Sequence, residues 1–142
     1  MTNWQPTSFE DKLIYNYWKA YQGIVVLEVP IGSSKGPGKW PKKSKVRRID
    51  GIRLVQDNGN HGIFPWANYS LDAFAEKVRE APIELIEAKD KLNRLVIGQI
   101  IAGLDMFERQ YGTKKITPVI LCSEGDPALE WVCKKREILV FI

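Results

Sequence analysis

The order of two hydrophobic periods along this chain constrains its fold more than any single motif. Runs at 24–31, 46–56, 83–89, 116–122 and 137–142 are β-branched and apolar enough for strands, the first interrupted by Glu28 and stopping near Pro30. Helical patterns lie between and around them. Thr7 or Ser8 can cap the first, with Glu10 and Asp11 in its first turn and Phe9, Leu13, Ile14, Tyr17, Trp18 and Tyr21 on one face up to Gly23. Ser70 starts a short helix that reaches Glu80, ahead of Pro82. The longest pattern covers 93–111, with Leu95, Val96, Ile100, Leu104 and Phe107 on a broad apolar face and Gly112 at its end. A last helix is expected over 127–135. Residues 57–60, Asp-Asn-Gly-Asn, signal a turn, and the segment around Phe64, Pro65 and Trp66 reads as a loop. Elements in this order predict an α/β domain, a central mixed β-sheet flanked by α-helices.

At 142 residues the chain has room for one compact core, so a single domain over 1–142 is expected. With 44% hydrophobic and 27% charged residues, the composition excludes a disordered or collagen-like chain. No apolar run approaches the roughly 18 residues of a membrane span, and the N-terminus has neither a basic start nor an apolar stretch behind it. A protein that is neither secreted nor membrane-inserted, with a cytoplasmic location, is the expectation. Cys122 and Cys133 cannot build a disulfide framework, and their spacing of eleven fits no zinc pair. Both read as core residues. His61 is the single histidine and reads as a loop residue, so any catalytic metal should be held by oxygen.

The net charge of +4 hides a strong asymmetry. Between Ile31 and Ile49 every charged residue is basic: Lys35, Lys39, Lys42, Lys43, Lys45, Arg47 and Arg48. Without those seven, 14 basic residues face 17 acidic ones, leaving a body of net charge −3. Such a run is either a solvated loop or a contact surface for a polyanion, because Lys and Arg on phosphates supply most non-specific nucleic-acid affinity. Trp40 in its middle can stack on a base or anchor the loop to the core. A phosphate-binding loop is excluded, since Pro37 stands where a second glycine is needed after Gly32, and Lys39 is followed by Trp40 instead of Ser or Thr.

Two acids stand out because they interrupt apolar strands. Asp50 lies in Arg47-Arg48-Ile49-Asp50-Gly51-Ile52, where a charge is costly unless paired or bound to metal. In the run 83–89, the two-residue period puts Ile83, Leu85, Glu87 and Lys89 on one face. Asp50 and Glu87 together offer two oxygen ligands for Mg²⁺, which keeps several waters, and Lys89 can orient a water for attack on a phosphodiester. The structural alternatives are a surface ion pair of Glu87 with Lys89, and a partnership of Asp50 with Arg48 or Arg53.

Asp50 followed by Glu87-Ala88-Lys89 resembles the acidic and (D/E)-x-K motifs of the PD-(D/E)XK nuclease superfamily, over roughly residues 8–122. The resemblance implies a restriction endonuclease-like mixed sheet, a Mg²⁺ ion (Mn²⁺ as the substitute) on both carboxylates, and hydrolysis of DNA phosphodiester bonds. It also implies a helical glutamate ahead of the sheet, matched by Glu10 with Glu28 as the substitute, and a glutamine after the E-x-K strand, matched by Gln99. Ile49 stands where a proline often precedes the first acid, and Gly103 where the RecB-like branch favours a tyrosine. The compact size looks closer to Holliday-junction resolvases and small restriction-type endonucleases. On this reading Asp50, Glu87, Lys89, Glu10 and Gln99 are catalytic, the seven cations from Lys35 to Arg48 grip DNA, and cutting two strands favours a homodimer. Glu10 also reads as an ordinary helix-start charge, and Gln99 as a buried glutamine bonded to backbone. Two other classes compete: a nucleic-acid-binding module of the same fold without turnover, part of a larger complex, and an interaction protein using the aromatic loop at Trp66.

Overall fold

Ser8 rather than Thr7 caps the first helix, α1 (Phe9–Tyr21). Its hydroxyl accepts the Asp11 N–H at 3.0 Å, and the Asp11 carboxylate accepts the Ser8 N–H at 3.3 Å. The chain continues through β1 (Ile24–Ile31), β2 (Arg47–Leu54), β3 (Gly62–Pro65), a 3₁₀ turn (Trp66–Asn68), α2 (Leu71–Glu80) and β4 (Ile83–Ala88). It closes with α3 (Arg94–Tyr111), β5 (Ile116–Leu121), α4 (Pro127–Lys135) and β6 (Leu139–Phe141). This computed structural model describes residues 4–55, 61–113 and 115–142, and the turn expected at 57–60 lies outside the described residues. Ser70, Asn93 and Asp126 accept first-turn N–H groups of α2, α3 and α4, which is why those helices begin where the pattern predicts.

The domain is α/β, with a six-stranded mixed sheet in the order β3-β1-β2-β4-β5-β6. Strand β2 runs antiparallel to β1 and β4, while β1–β3, β4–β5 and β5–β6 are parallel. Helices α3 and α4 supply the crossovers that the last two parallel pairs require. The segment at Phe64 and Pro65, expected to be a loop, instead forms β3 and extends the sheet beside β1, with Ile63 fully buried. Among the described residues, no helix is long and apolar enough to cross a membrane.

Two cores flank the sheet. Ile14 and Tyr17 of α1 pack on one face against Val25, Leu27, Ile63, Ile86, Val119 and Leu121. Phe74 and Val78 of α2, Ile97, Ile100 and Phe107 of α3, and Cys133 of α4 cover the other face. Both cysteines are buried and free, as expected. Fully burying each such side chain is worth about 1.5–3 kcal/mol, so the helices are held chiefly by these faces.

The two-residue alternation changes phase once in each of two neighbouring strands. Val26 and Val29 of β1 share a core although three positions apart, and so do Ile49 and Ile52 of β2. In β1 the switch is made by Glu28, whose φ of +58° is the left-handed region that a non-glycine residue adopts only at a cost. The ladder pairs Leu27 with Gly51 and Val29 with Ile49, so Glu28 and Asp50 face each other at the irregular step.

The basic segment is a docked loop. The Gln110 side-chain oxygen, near the end of α3, accepts the Gly32 N–H at 3.0 Å and the Trp40 indole N–H at 2.9 Å, while its amide group donates to the Pro30 carbonyl at 3.3 Å. Arg109 donates to the Gly38 and Lys39 carbonyls at 3.1 and 3.0 Å, and its guanidinium lies 4.1 Å from the centre of the Trp40 ring. Trp40 is therefore an anchor. Gly32, at φ +90°, is required here, because a Cβ would sit 2.8 Å from the Met106 methyl and 2.9 Å from the Lys45 carbonyl oxygen.

Candidate active site

The register of β2 on β4 builds the site. Gly51 pairs with Ile86, so the next step outward sets Asp50 opposite Glu87. The Asp50 N–H points at Glu87 Oε2 at 3.4 Å, and Asp50 Oδ2 accepts the Ala88 N–H at 2.9 Å. The two acids thus meet through side chain and backbone across the sheet. Glu87 is only 8% exposed, and Asp50 is half-buried.

A cleft of about 520 Å³ opens over them, between the N-terminal turn of α1, the middle of β1, the first half of β2 and the ends of β3 and β4. Glu10, Glu28, Asp50, Glu87, Lys89 and Gln99 all line it, so the five residues expected to be catalytic and the substitute glutamate meet in one place. Glu10 reaches it because the Ser8 cap starts α1 at the cleft mouth. Gln99 is exposed there, so it is not the backbone-bonded buried glutamine that its apolar helix face also allowed. Of the seven cations, five on the loop and Arg47 and Arg48 on β2, only Arg48 lines the cleft. Lys35, Lys39, Lys42, Lys43, Lys45 and Arg47 are exposed outside it. Trp4 and Ser8 also line the cleft, and nothing in their sequence context singles them out for it.

Burial pushes the Asp50 carboxyl up to about 6, helped by the charges of Glu28 and Glu10 and opposed by the Ala88 N–H. Burial likewise pushes Glu87 up to about 8, with the charges of Asp50 and Glu28 adding to it. Near neutral pH the pair therefore retains a proton. Neither acid has a cation within ion-pair distance among the described residues, which removes both structural alternatives read from the sequence. Lys89 lines the same cleft without closing an ion pair, and Arg53 is committed to Glu84 at 2.9 Å.

A buried and a half-buried carboxyl, open to solvent on one side, are a hard, all-oxygen donor set. Among the described residues no three His, Cys, Asp or Glu side chains are gathered tightly enough to hold a metal ion by themselves. Two carboxylates are within the number that Mg²⁺ typically takes while keeping its remaining waters. A dication would also offset the repulsion that raises both acids. The Glu28 backbone beside Asp50 is held in the left-handed region, as are those of Gln22, Lys39, Lys43 and Glu137 away from the cleft. No protein-family model, curated protein or solved structure matches this chain.

Proposed function

We propose that this protein is a metal-dependent nuclease that hydrolyses DNA phosphodiester bonds, with a restriction endonuclease-like sheet and most simply an endonuclease. The observation that carries the reading is the Asp50–Glu87 pair, which has no cation within ion-pair distance among the described residues and opens into a cleft shared with Lys89. Asp50 and Glu87 would hold Mg²⁺, or Mn²⁺, which when bound supplies charge stabilisation to the scissile phosphate. Lys89 lies on the same cleft wall and donates hydrogen bonds to the attacking water, holding it in line and opposing the charge that builds on phosphate oxygens. Gln99 offers a neutral amide for the same water or phosphate, and Glu10 and Glu28 keep the local potential negative, favouring a dication. Arg48 at the rim draws the phosphate backbone toward the acids, and the docked loop behind it spreads the remaining cations over a surface that neutralises further phosphates.

The test is cleavage of plasmid and branched DNA in Mg²⁺ by the wild type, Asp50→Ala and Lys89→Ala. The reading expects cutting by the wild type and at least a hundredfold loss in each variant, about the scale of removing one preorganised electrostatic group. Equal cutting by all three overturns the site assignment. Salt-sensitive DNA binding that survives Asp50→Ala, without cutting by the wild type, would make the chain a binding module instead.

A further inference from the structure

A second groove, of about 470 Å³, opens on the far side of Glu87 and shares Arg48, Glu87 and Gln99 with the acid cleft. Its character differs. Ile31 and Ile49, both buried, form an apolar floor with Met106, and exposed Arg47, Arg48 and Arg94 stand at its rim. Leu95 lies at its lip and is 63% exposed, an unpartnered leucine beside three guanidinium groups. Gly98 of α3 lines the groove, and a Cβ added there would meet nothing within 4 Å, so a larger side chain at this position has open space to project into.

We infer that this groove takes an unpaired base of the DNA strand whose neighbouring phosphate lies at Asp50 and Glu87. This inference rests on the nuclease reading and names its substrate class: DNA with an unpaired nucleotide beside the scissile bond, as in a single strand, an overhang or a branch point. Three features combine to select this occupant. An apolar floor favours the flat, poorly hydrated face of a base over a phosphate or sugar. The arginine rim matches the phosphates that flank that base, since guanidinium groups grip phosphate in a fixed fork. The shared wall at Glu87 and Gln99 makes the base site and the acid site neighbours, as a base and its own backbone phosphate must be. A stacked duplex keeps its bases inside and would offer this floor only backbone, unless it first spent the cost of extruding a nucleotide. The volume falls within the roughly 300–1,000 Å³ of small-molecule clefts, ample for one nucleoside.

Binding decides the matter without any need for cleavage. The full chain in EDTA is titrated against a fluorescein-labelled single strand, a blunt duplex of the same length, and that duplex with one bulged adenine, using the wild type, Gly98→Leu and Arg94→Ala. The wild type should prefer the single strand and the bulge over the blunt duplex by about tenfold, and Gly98→Leu should abolish most of that preference by filling the groove. Leucine is a better helix former than glycine, and a thermal melt at least as high as the wild type's verifies that the variant is folded. Arg94→Ala should weaken the single strand more than the duplex. No preference in the wild type, or a preference unchanged in Gly98→Leu, overturns the inference, as does a wild type that binds an apolar peptide but no DNA. The two readings separate cleanly. Preference without Mg²⁺-dependent cutting sinks only the nuclease, whereas Asp50-dependent cutting of unpaired and duplex DNA alike, undisturbed by Gly98→Leu, sinks only the base site.

Discussion

Strands β2 and β4 carry two cross-strand pairs three residues apart, and they are built on opposite principles. Arg53 pairs directly with Glu84, the two joined at 2.9 Å, and Glu84 also accepts the Tyr17 hydroxyl at 2.8 Å. Arg53 donates further to the Gln22 and Tyr21 carbonyls at 2.8 and 2.9 Å, so the end of α1 is bound to the sheet through one satisfied network. One step past Gly51, the same register sets acid against acid, Asp50 against Glu87, and among the described residues no cation lies within ion-pair distance of either. Like charges directly opposite in a sheet are destabilising. The fold supplies an arginine to Glu84, and among the described residues it supplies none to Glu87.

Breaking the satisfied pair should have the largest effect. Arg53→Ala leaves Glu84 half-buried without its cation, with only the Tyr17 hydroxyl on it, and should cost about 3–5 kcal/mol in urea unfolding, whereas Arg53→Met with Glu84→Leu should recover most of that loss. The opposite sign is expected at the unsatisfied pair. Glu87→Gln removes one of two repelling acids and should raise the stability of the metal-free protein by about 1–3 kcal/mol at pH 8–9 while abolishing cleavage. The pH dependence follows from the same asymmetry. Both acids sit above their ordinary values when folded, so the folded state holds protons that the unfolded chain releases. Their contribution is fully present below about pH 4 and is lost as pH rises through about 6 and then about 8. Thermal melts in EDTA should fall between pH 5 and 9 in the wild type and much less in Glu87→Gln, and added Mg²⁺ should restore the lost stability at the alkaline end. Tyr17→Phe, which removes one hydrogen bond from Glu84, should cost only about 1 kcal/mol and leave DNA cleavage unchanged.

How much of this was legible in the sequence depends on whether the signal is local. Asp50 and Glu87 stand out because each is a charge inside an apolar strand, and helix caps such as Ser8 and Ser70 are read from one turn of chain. Strand β3 escapes because four residues bounded by Gly62 and Pro65 carry too little periodicity, and its pairing with β1 is a tertiary fact. The role of Trp40 is fixed by Gln110, 70 positions away, and that of Glu84 by a register that the sequence does not print. The phase switch at Glu28 was hidden for a different reason. Strict alternation assumes extended backbone, and a single residue at φ +58° turns the following side chains to the other face.

The central claim is that Asp50 and Glu87 form an acid pair held ready for a cation. Isothermal titration of the DNA-free protein with Mn²⁺ at pH 7, in two buffers of different ionisation enthalpy, tests it most directly. The account predicts saturable binding with proton release, since the ion displaces a proton that the pair retains, and loss of both in Glu87→Gln and Asp50→Ala. Binding of equal strength in the wild type and both variants, or no binding at all, would contradict it.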